Sequence, residues 1–154
     1  MIQHTFLLAE GYWKASGTFR DESNNEYPVN GETIIKHLDN RWVNQGVMRV
    51  VADRPVNFHN EYEIEPLQMD ALQTRWISHN PGLGQLYGTF KIDGKELISQ
   101  YQSAQNNYRG DERFAYQNDD EYKVEGVLYK GKKKISSWSV VLKRQPHAVS
   151  STHQ

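Results

Sequence analysis

The sequence contains no cysteine, which excludes disulfide bonds and thiolate chemistry. No apolar run approaches the ~20 residues that a membrane-spanning helix needs. The opening stretch, MIQHTFLLAE, has neither the basic start nor the apolar length of a signal peptide. These absences predict a cytoplasmic protein that does not associate with a membrane.

An excess of charge of one sign is also missing. Lys and Arg number 18, Asp and Glu number 19, and the net charge is -1. Such a balance gives no general attraction to nucleic acid or to an anionic membrane. The lysine cluster at 130–134 falls where a hairpin turn is expected, so we interpret it as a solvated loop.

Familiar catalytic motifs are absent as well. The sequence lacks a nucleophile elbow, a Walker loop, a dinucleotide fingerprint and a paired-histidine zinc motif. An enzyme therefore has to work with isolated side chains, as isomerases and cyclases with a dry pocket can do.

What is present is a strict alternation of residue types, seen first in residues 10–20. One face of this stretch carries two glycines, an alanine, Trp13 and Phe19, and the other carries polar or charged residues and Tyr12. Glycines beside a tryptophan on one face suit a strand that bends around a barrel. The stretch predicts a curved strand with Trp13 pointing inward.

Similar strands, joined by short turns, follow along the chain. We count about ten, and an antiparallel meander of that length removes its two edges by closing on itself. The sequence therefore predicts an all-β protein, a single antiparallel up-and-down β-barrel over residues 1–144, followed by a polar tail at 145–154. The expected cross-strand pairs are Trp13 with Ile35, Ile35 with Asn44, Ile64 with Leu72, and Phe90 with Leu97.

The inner face of such a barrel mixes aromatic and hydrogen-bonding side chains. A purely structural core rarely accepts many polar groups, since each costs ~1–3 kcal/mol when unpaired. Apolar walls with a few polar groups are typical of a small-molecule pocket. The predicted ligand-binding residues are Thr33, His37, Asn44, Met48, Phe58, Asn60, Tyr62, Thr74, Trp76, Phe90, Tyr101 and Tyr116. The alternative is a filled barrel in which these groups satisfy one another or hold water.

Two histidine-containing features raise the question of a metal. His37 falls on the inner face, where it is either a hydrogen-bonded wall residue, an iron ligand or a general base. The outward row His59, Glu61, Glu63 and Glu65 spaces metal-capable side chains along one face, but no converging partner is visible. We predict no metal site.

The stretch Gly11-Tyr12-Trp13 resembles the Gly-x-Trp signature of the lipocalins and the broader calycin superfamily. Arg144, which closes the last strand, resembles the arginine that packs over that tryptophan in the family. The resemblance implies a ligand-binding barrel whose closed end is plugged by this pair. Trp13 and Arg144 would then be structural residues that do not touch the ligand.

Other calycin-like barrels show partial likeness. Gly11, Trp13, Gly17 and the pair Tyr27-Pro28 resemble the start of nitrobindin-like haem barrels, but the last strand, SSWSVVL, has no histidine to bind iron. We therefore expect no haem and no other cofactor. Fatty-acid-binding proteins share the strand count, but a few turn residues replace their helical pair here.

Three functions remain open at this point. The first is binding of a small apolar or aromatic-containing molecule in the barrel. The second is an isomerase, cyclase or dehydratase that uses Tyr62, Tyr101, His37 or Asn60, and it predicts a strongly perturbed ionisable group in the pocket. The third is a homodimeric interaction module with apolar patches from Ile34, Ile77, Val127 and Tyr129 on the outer face.

Overall fold

The computed structural model describes residues 2–68 and 70–146, and these form a closed antiparallel barrel. Each strand pairs with its neighbours in sequence, and β1 also pairs with β10, which closes the sheet. The prediction of an all-β up-and-down barrel is confirmed. The strands are β1 (Gly11–Arg20), β2 (Glu26–His37), β3 (Trp42–Val50), β4 (Val56–Ile64), β5 (Gln73–Asn80), β6 (Gly84–Asp93), β7 (Glu96–Ser103), β8 (Tyr108–Asn118), β9 (Glu121–Lys130) and β10 (Lys133–Gln145).

The register is as predicted between β2 and β3 but differs in three other hairpins. Ile35 lies opposite Asn44 as expected. Trp13 lies opposite Thr33, two residues from the predicted partner, and Phe90 lies opposite Ser99, again a shift of two. Ile64 lies opposite Trp76, a shift of four from Leu72. All these shifts are even, so each side chain keeps its predicted face.

One end of the barrel is closed by the segment that precedes β1. Phe6 and Leu7 are each only 1% exposed, and Phe6 stacks on Phe114 at a centroid distance of 5.0 Å. Nearby, His4 Nδ1 lies 2.8 Å from the hydroxyl of Tyr122, and Nε2 lies 2.8 Å from the carbonyl oxygen of Gly94. The turn before β7 and the start of β9 are therefore joined to this segment. The other end of the barrel is where the candidate site lies.

The structure shows no helix in residues 2–68 and 70–146, so none that is long and apolar enough to cross a bilayer. At the C-terminus, Gln145 is still part of β10 and not of a tail. The rest of the predicted tail, from residue 147 onward, lies outside the described residues.

Candidate functional site

The site is built around aromatic side chains that lie across glycines of neighbouring strands. Trp138 on β10 is opposite Gly126 on β9, and a Cβ on this glycine would lie 2.2 Å from Cε2 of the indole. Gly126 is also opposite Glu112 on β8. The missing side chain lets the indole cross β9, so that Nε1 donates a 2.7 Å hydrogen bond to Glu112 Oε2. Tyr101 on β7 lies across Gly110 on β8 in a similar way.

Two adjoining cavities occupy the interior. An outer chamber of about 390 Å³ opens at the end away from Phe6, and its walls include Phe19, Phe58, Leu86 and Leu128. A smaller inner chamber of about 100 Å³ lies deeper in the barrel. The residues that line both chambers are Met48, Asn60, Tyr62 and Glu112. The larger volume falls within the ~300–1,000 Å³ that is common for small-molecule sites.

Access to the outer chamber follows from weak pairing of β4. In the described part of the chain, β4 pairs with β5 only over Tyr62–Ile64, whereas it pairs with β3 along its whole length. Residues 56–61 therefore diverge from β5, and a hydrogen bond of 2.9 Å from Asn80 Nδ2 to Asn60 Oδ1 spans the gap. Phe58 is 39% exposed here. This gap forms a side opening into the chamber.

Glu112 is the ionisable group inside the site. Burial raises its pKa from 4.5 to about 7; the hydrogen bond from Trp138 opposes this increase, and the neighbouring Asp111 carboxylate adds to it. Among the described residues that line the two chambers there is no lysine or arginine. Of the described lining residues only His59 is basic, and it is exposed on β4.

The phenols beside Glu112 are also shifted. Burial, followed by the charge of Glu112, raises the pKa of Tyr62 and of Tyr101 well above the ordinary value, so both hydroxyls stay protonated. Ser99 lies directly opposite Glu112 in the register, and its buried Oγ has no hydrogen-bond partner among the described residues. The same is true of Ser78 Oγ and of Trp76 Nε1. Unsatisfied polar groups of this kind are uncommon in a solid core.

Eight of the twelve residues predicted from the sequence line one or both chambers. The inner chamber is lined by Thr33, Asn44, Met48, Asn60, Tyr62 and Phe90, and the outer one by Met48, Phe58, Asn60, Tyr62 and Tyr101. Their contact with a ligand stays a prediction.

The other four lie outside both chambers. His37 stacks on Trp42 with ring centroids 4.0 Å apart, and its Nε2 is 2.9 Å from the carbonyl oxygen of Leu7. Tyr116 donates to Asp119 near the closed end, and Thr74 donates to the carbonyl of Glu65. Trp76, the fourth, is 2% exposed and stacks at 4.6 Å on Tyr62, so it supports the site from behind.

Trp13 and Arg144 meet at the closed end, where the lipocalin resemblance puts them. Trp13 is fully buried, Arg144 is its partner in the register, and the guanidinium carbon lies 5.9 Å from the centre of the indole. Arg144 Nη2 also donates to the carbonyl of Glu10 at 3.2 Å. Neither residue lines a chamber, so the geometry is compatible with the predicted structural role.

Sequence reasoning missed Glu112 and Trp138 as site residues. The signal for Glu112 was present, because it alternates along its strand with Tyr116, which was predicted to point inward, and with Phe114, which is buried. A charged residue in an otherwise apolar inward row is rarely buried without a function or a partner. Trp138 alternates along β10 with Val140 and Leu142, which are both buried, so its side chain is expected on the same inward face.

The outer face carries no comparable cluster. In residues 2–68 and 70–146 no group of three or more His, Cys, Asp or Glu side chains has metal-binding geometry. The predicted dimer residues Ile34, Ile77, Val127 and Tyr129 lie on β2, β5 and β9, on different sides of the barrel. They do not form one patch, and the homodimer stays a prediction.

Comparisons with known proteins show similarity in fold alone. No family model matches the chain, and no curated protein matches it in sequence. Among solved structures, Rv2717c from M. tuberculosis aligns with a TM-score of 0.67 at 13% identity, covering 88% of this chain and 91% of the other. The S-type phycobiliprotein lyase CPES from Guillardia theta aligns with a TM-score of 0.60 at 8% identity, covering 92% and 90%. This chain is thus similar in fold to both structures over nearly its whole length.

Proposed function

We propose that this protein binds a small, partly apolar molecule inside its barrel. The supporting observation is the outer chamber of about 390 Å³, which opens between β4 and β5 and combines apolar walls with Asn60, Tyr101 and Glu112. This is the composition expected of a ligand pocket. The proposal includes a lipocalin-like mode of binding and a cytoplasmic location. Because CPES is named as a phycobiliprotein lyase, a tetrapyrrole belongs among the ligands to be screened.

Native mass spectrometry of freshly purified protein tests for a retained ligand, and titration with 1-naphthalenemethanol, a neutral aromatic probe, tests the chamber directly. In the variant Met48→Trp a larger ring occupies the junction of the two chambers, and the probe should bind at least ~10-fold more weakly. Gln45→Trp is the matched control, since Gln45 is exposed on the same strand. Equal affinity in all three proteins would refute binding in the barrel.

An acid–base enzyme is a second candidate, and Glu112 is the observation that favours it. A half-buried carboxyl group with a pKa of about 7 is suited to proton transfer near neutral pH. Tyr62 and Tyr101 stay protonated beside it and are able to donate hydrogen bonds to a developing oxyanion. Hydrogen–deuterium exchange next to the carbonyl of 2-tetralone is a direct test: wild type should accelerate it and Glu112→Gln should not. Equal exchange in both proteins would remove this candidate.

A further inference from the structure

We infer that the ligand of this barrel is a cation with an aromatic body, bound through a protonated nitrogen at Glu112. This inference rests on the proposed binding function and specifies the chemical class of the ligand. It also assigns Glu112 as the residue that sets the charge preference.

The first argument is the position of the carboxylate. Glu112 lines both chambers, so a molecule that fills either chamber comes close to it. Trp138 Nε1 donates a hydrogen bond to Oε2 of Glu112, and no donor to Oε1 of Glu112 is found among the described residues. The bond to the indole fixes the orientation of the carboxylate and leaves one oxygen for a ligand.

The second argument is the charge of the surroundings. The groups that face or flank Glu112 are the phenols of Tyr62 and Tyr101, the hydroxyl of Ser99, the indole of Trp138, and Asp111 on the same strand. None of these is a cation. Arg113, which flanks Glu112 on the other side, forms an ion pair with Glu96, and His59, which also lines the outer chamber, is exposed on β4. Of the charged residues at the inner chamber, Glu32 is paired with Arg49. The lysines of the turn between β9 and β10 lie at the open end but do not line either chamber in the described structure.

The third argument is the set of acceptors around the carboxylate. A protonated amine carries up to three donors. Its hydrogens can be shared between Glu112 and the phenol oxygens of Tyr62 and Tyr101, which line the outer chamber together with it. A carboxylate ligand, in contrast, would place two negative charges together.

The aromatic body follows from the walls around the carboxylate. Tyr62, Tyr101 and Trp138 present ring surfaces within the outer chamber. Aromatic faces attract cations and stack on flat rings, so they suit both parts of such a ligand.

Three probes of one shape separate the possibilities: 1-naphthylmethylamine is a cation, 1-naphthalenemethanol is neutral, and 1-naphthoate is an anion. At pH 8 the wild-type protein should bind the amine at least ~10-fold more tightly than the alcohol, and the naphthoate most weakly. Glu112→Gln should lose the preference for the amine and keep its affinity for the alcohol. Glu125→Gln removes an exposed carboxylate on β9 that lines neither chamber and should behave as wild type.

Proton linkage gives an independent readout. At pH 6, binding of the amine should displace the proton from Glu112, so the calorimetric enthalpy should depend on the ionisation enthalpy of the buffer in wild type but not in Glu112→Gln. At pH 5 the affinity for the amine should be at least ~10-fold weaker than at pH 8. Binding of the alcohol without a preference for the amine, or a preference that Glu112→Gln retains, would overturn the inference while leaving the binding function intact. If none of the probes binds, the binding function itself fails.

Discussion

Gly126 and Trp138 are cross-strand partners in which the absence of one side chain makes room for the other. A Cβ at residue 126 would lie 2.2 Å from Cε2 and 2.4 Å from Nε1 of the indole. Trp138 therefore reaches Glu112 only because β9 has a glycine at the crossing point. The contact between the indole and Glu112 depends on this one small residue.

Gly126→Ala should consequently destabilise the protein by about 1–3 kcal/mol, the range for forcing extra atoms into a packed region. The displaced indole should also lose its hydrogen bond to Glu112, which a shift in tryptophan fluorescence would report. Urea unfolding measures the free-energy change. Gly82→Ala is the control, because its added Cβ would meet only Asn80 Oδ1, at 3.5 Å. Equal stability of the two variants would show that the crossing is not constrained.

The raised pKa of Glu112 makes the stability of the barrel depend on pH. The pKa of Glu112 is 4.5 in the unfolded state and about 7 in the folded state. Between these pH values the folded protein therefore keeps a proton on Glu112 that the unfolded protein has released. The contribution of this proton to the free energy of unfolding is complete below pH 4.5 and is lost as the pH rises through 7. It amounts to about 3 kcal/mol at most, and solvent screening reduces it because Glu112 is only half-buried. Urea midpoints at pH 5.5 and pH 8 should differ less in Glu112→Gln than in wild type, whereas Glu125→Gln, which removes an exposed carboxylate on β9, should retain the full difference.

Removing the indole should move the same pKa further. The hydrogen bond from Trp138 lowers the pKa of Glu112, and Trp138→Phe deletes the donor while keeping an aromatic ring. The pKa should therefore rise above that of the wild type. Carbon-13 NMR of the glutamate side chains across a pH titration measures it. A pKa that stays constant or falls would show that the hydrogen bond does not act on this carboxyl group.

The alternation of residue types was enough to predict the barrel and the inward faces, but not every register. Between β1 and β2, Asp21 Oδ1 accepts hydrogen bonds from the backbone of Ser23 and Asn25, which tightens the turn and shifts the pairing by two. Between β6 and β7, Gly94 has a φ of +59° at the first central position of the turn, where a Gly-x hairpin needs it. Such turn geometry depends on local hydrogen bonds, which the alternation of apolar and polar residues does not predict.

Most of the predicted residues line the candidate site, but the sequence analysis missed its carboxylate, Glu112. The alternation of inward and outward positions predicted that Tyr62 and Tyr101 point inside. It could not show how far along the barrel axis a residue lies. His37 and Tyr116 also occupy inward positions of their strands. They nevertheless lie at the closed end, because their strands extend past the chambers. The segment before β1, which closes that end, has no alternation and gave no signal of its position.

The hydroxyl of Tyr122 should be important for holding this segment. Gly94 offers a carbonyl oxygen to His4 Nε2, which must therefore carry the proton, so Nδ1 accepts from Tyr122. The same hydroxyl accepts from the backbone N–H of Thr5 at 3.1 Å. Tyr122→Phe should cost about 1–3 kcal/mol in urea unfolding, and it should speed amide exchange at Thr5. Tyr129→Phe, on an outward side chain, is the control and should change neither quantity; equal effects in both variants would exclude the role of the hydroxyl.

Arg144 provides the test of the structural role implied by the lipocalin resemblance. Arg144→Ala removes the guanidinium that lies 5.9 Å from the Trp13 ring, together with its hydrogen bond to Glu10, and should destabilise the barrel by about 1 kcal/mol. Affinity for 1-naphthalenemethanol should stay within about twofold, because neither Trp13 nor Arg144 lines a chamber. Arg113→Ala is the comparison, since it breaks a surface ion pair with Glu96 and should cost less. A loss of probe affinity in Arg144→Ala at unchanged stability would mean that this pair belongs to the binding site and does not serve as a plug.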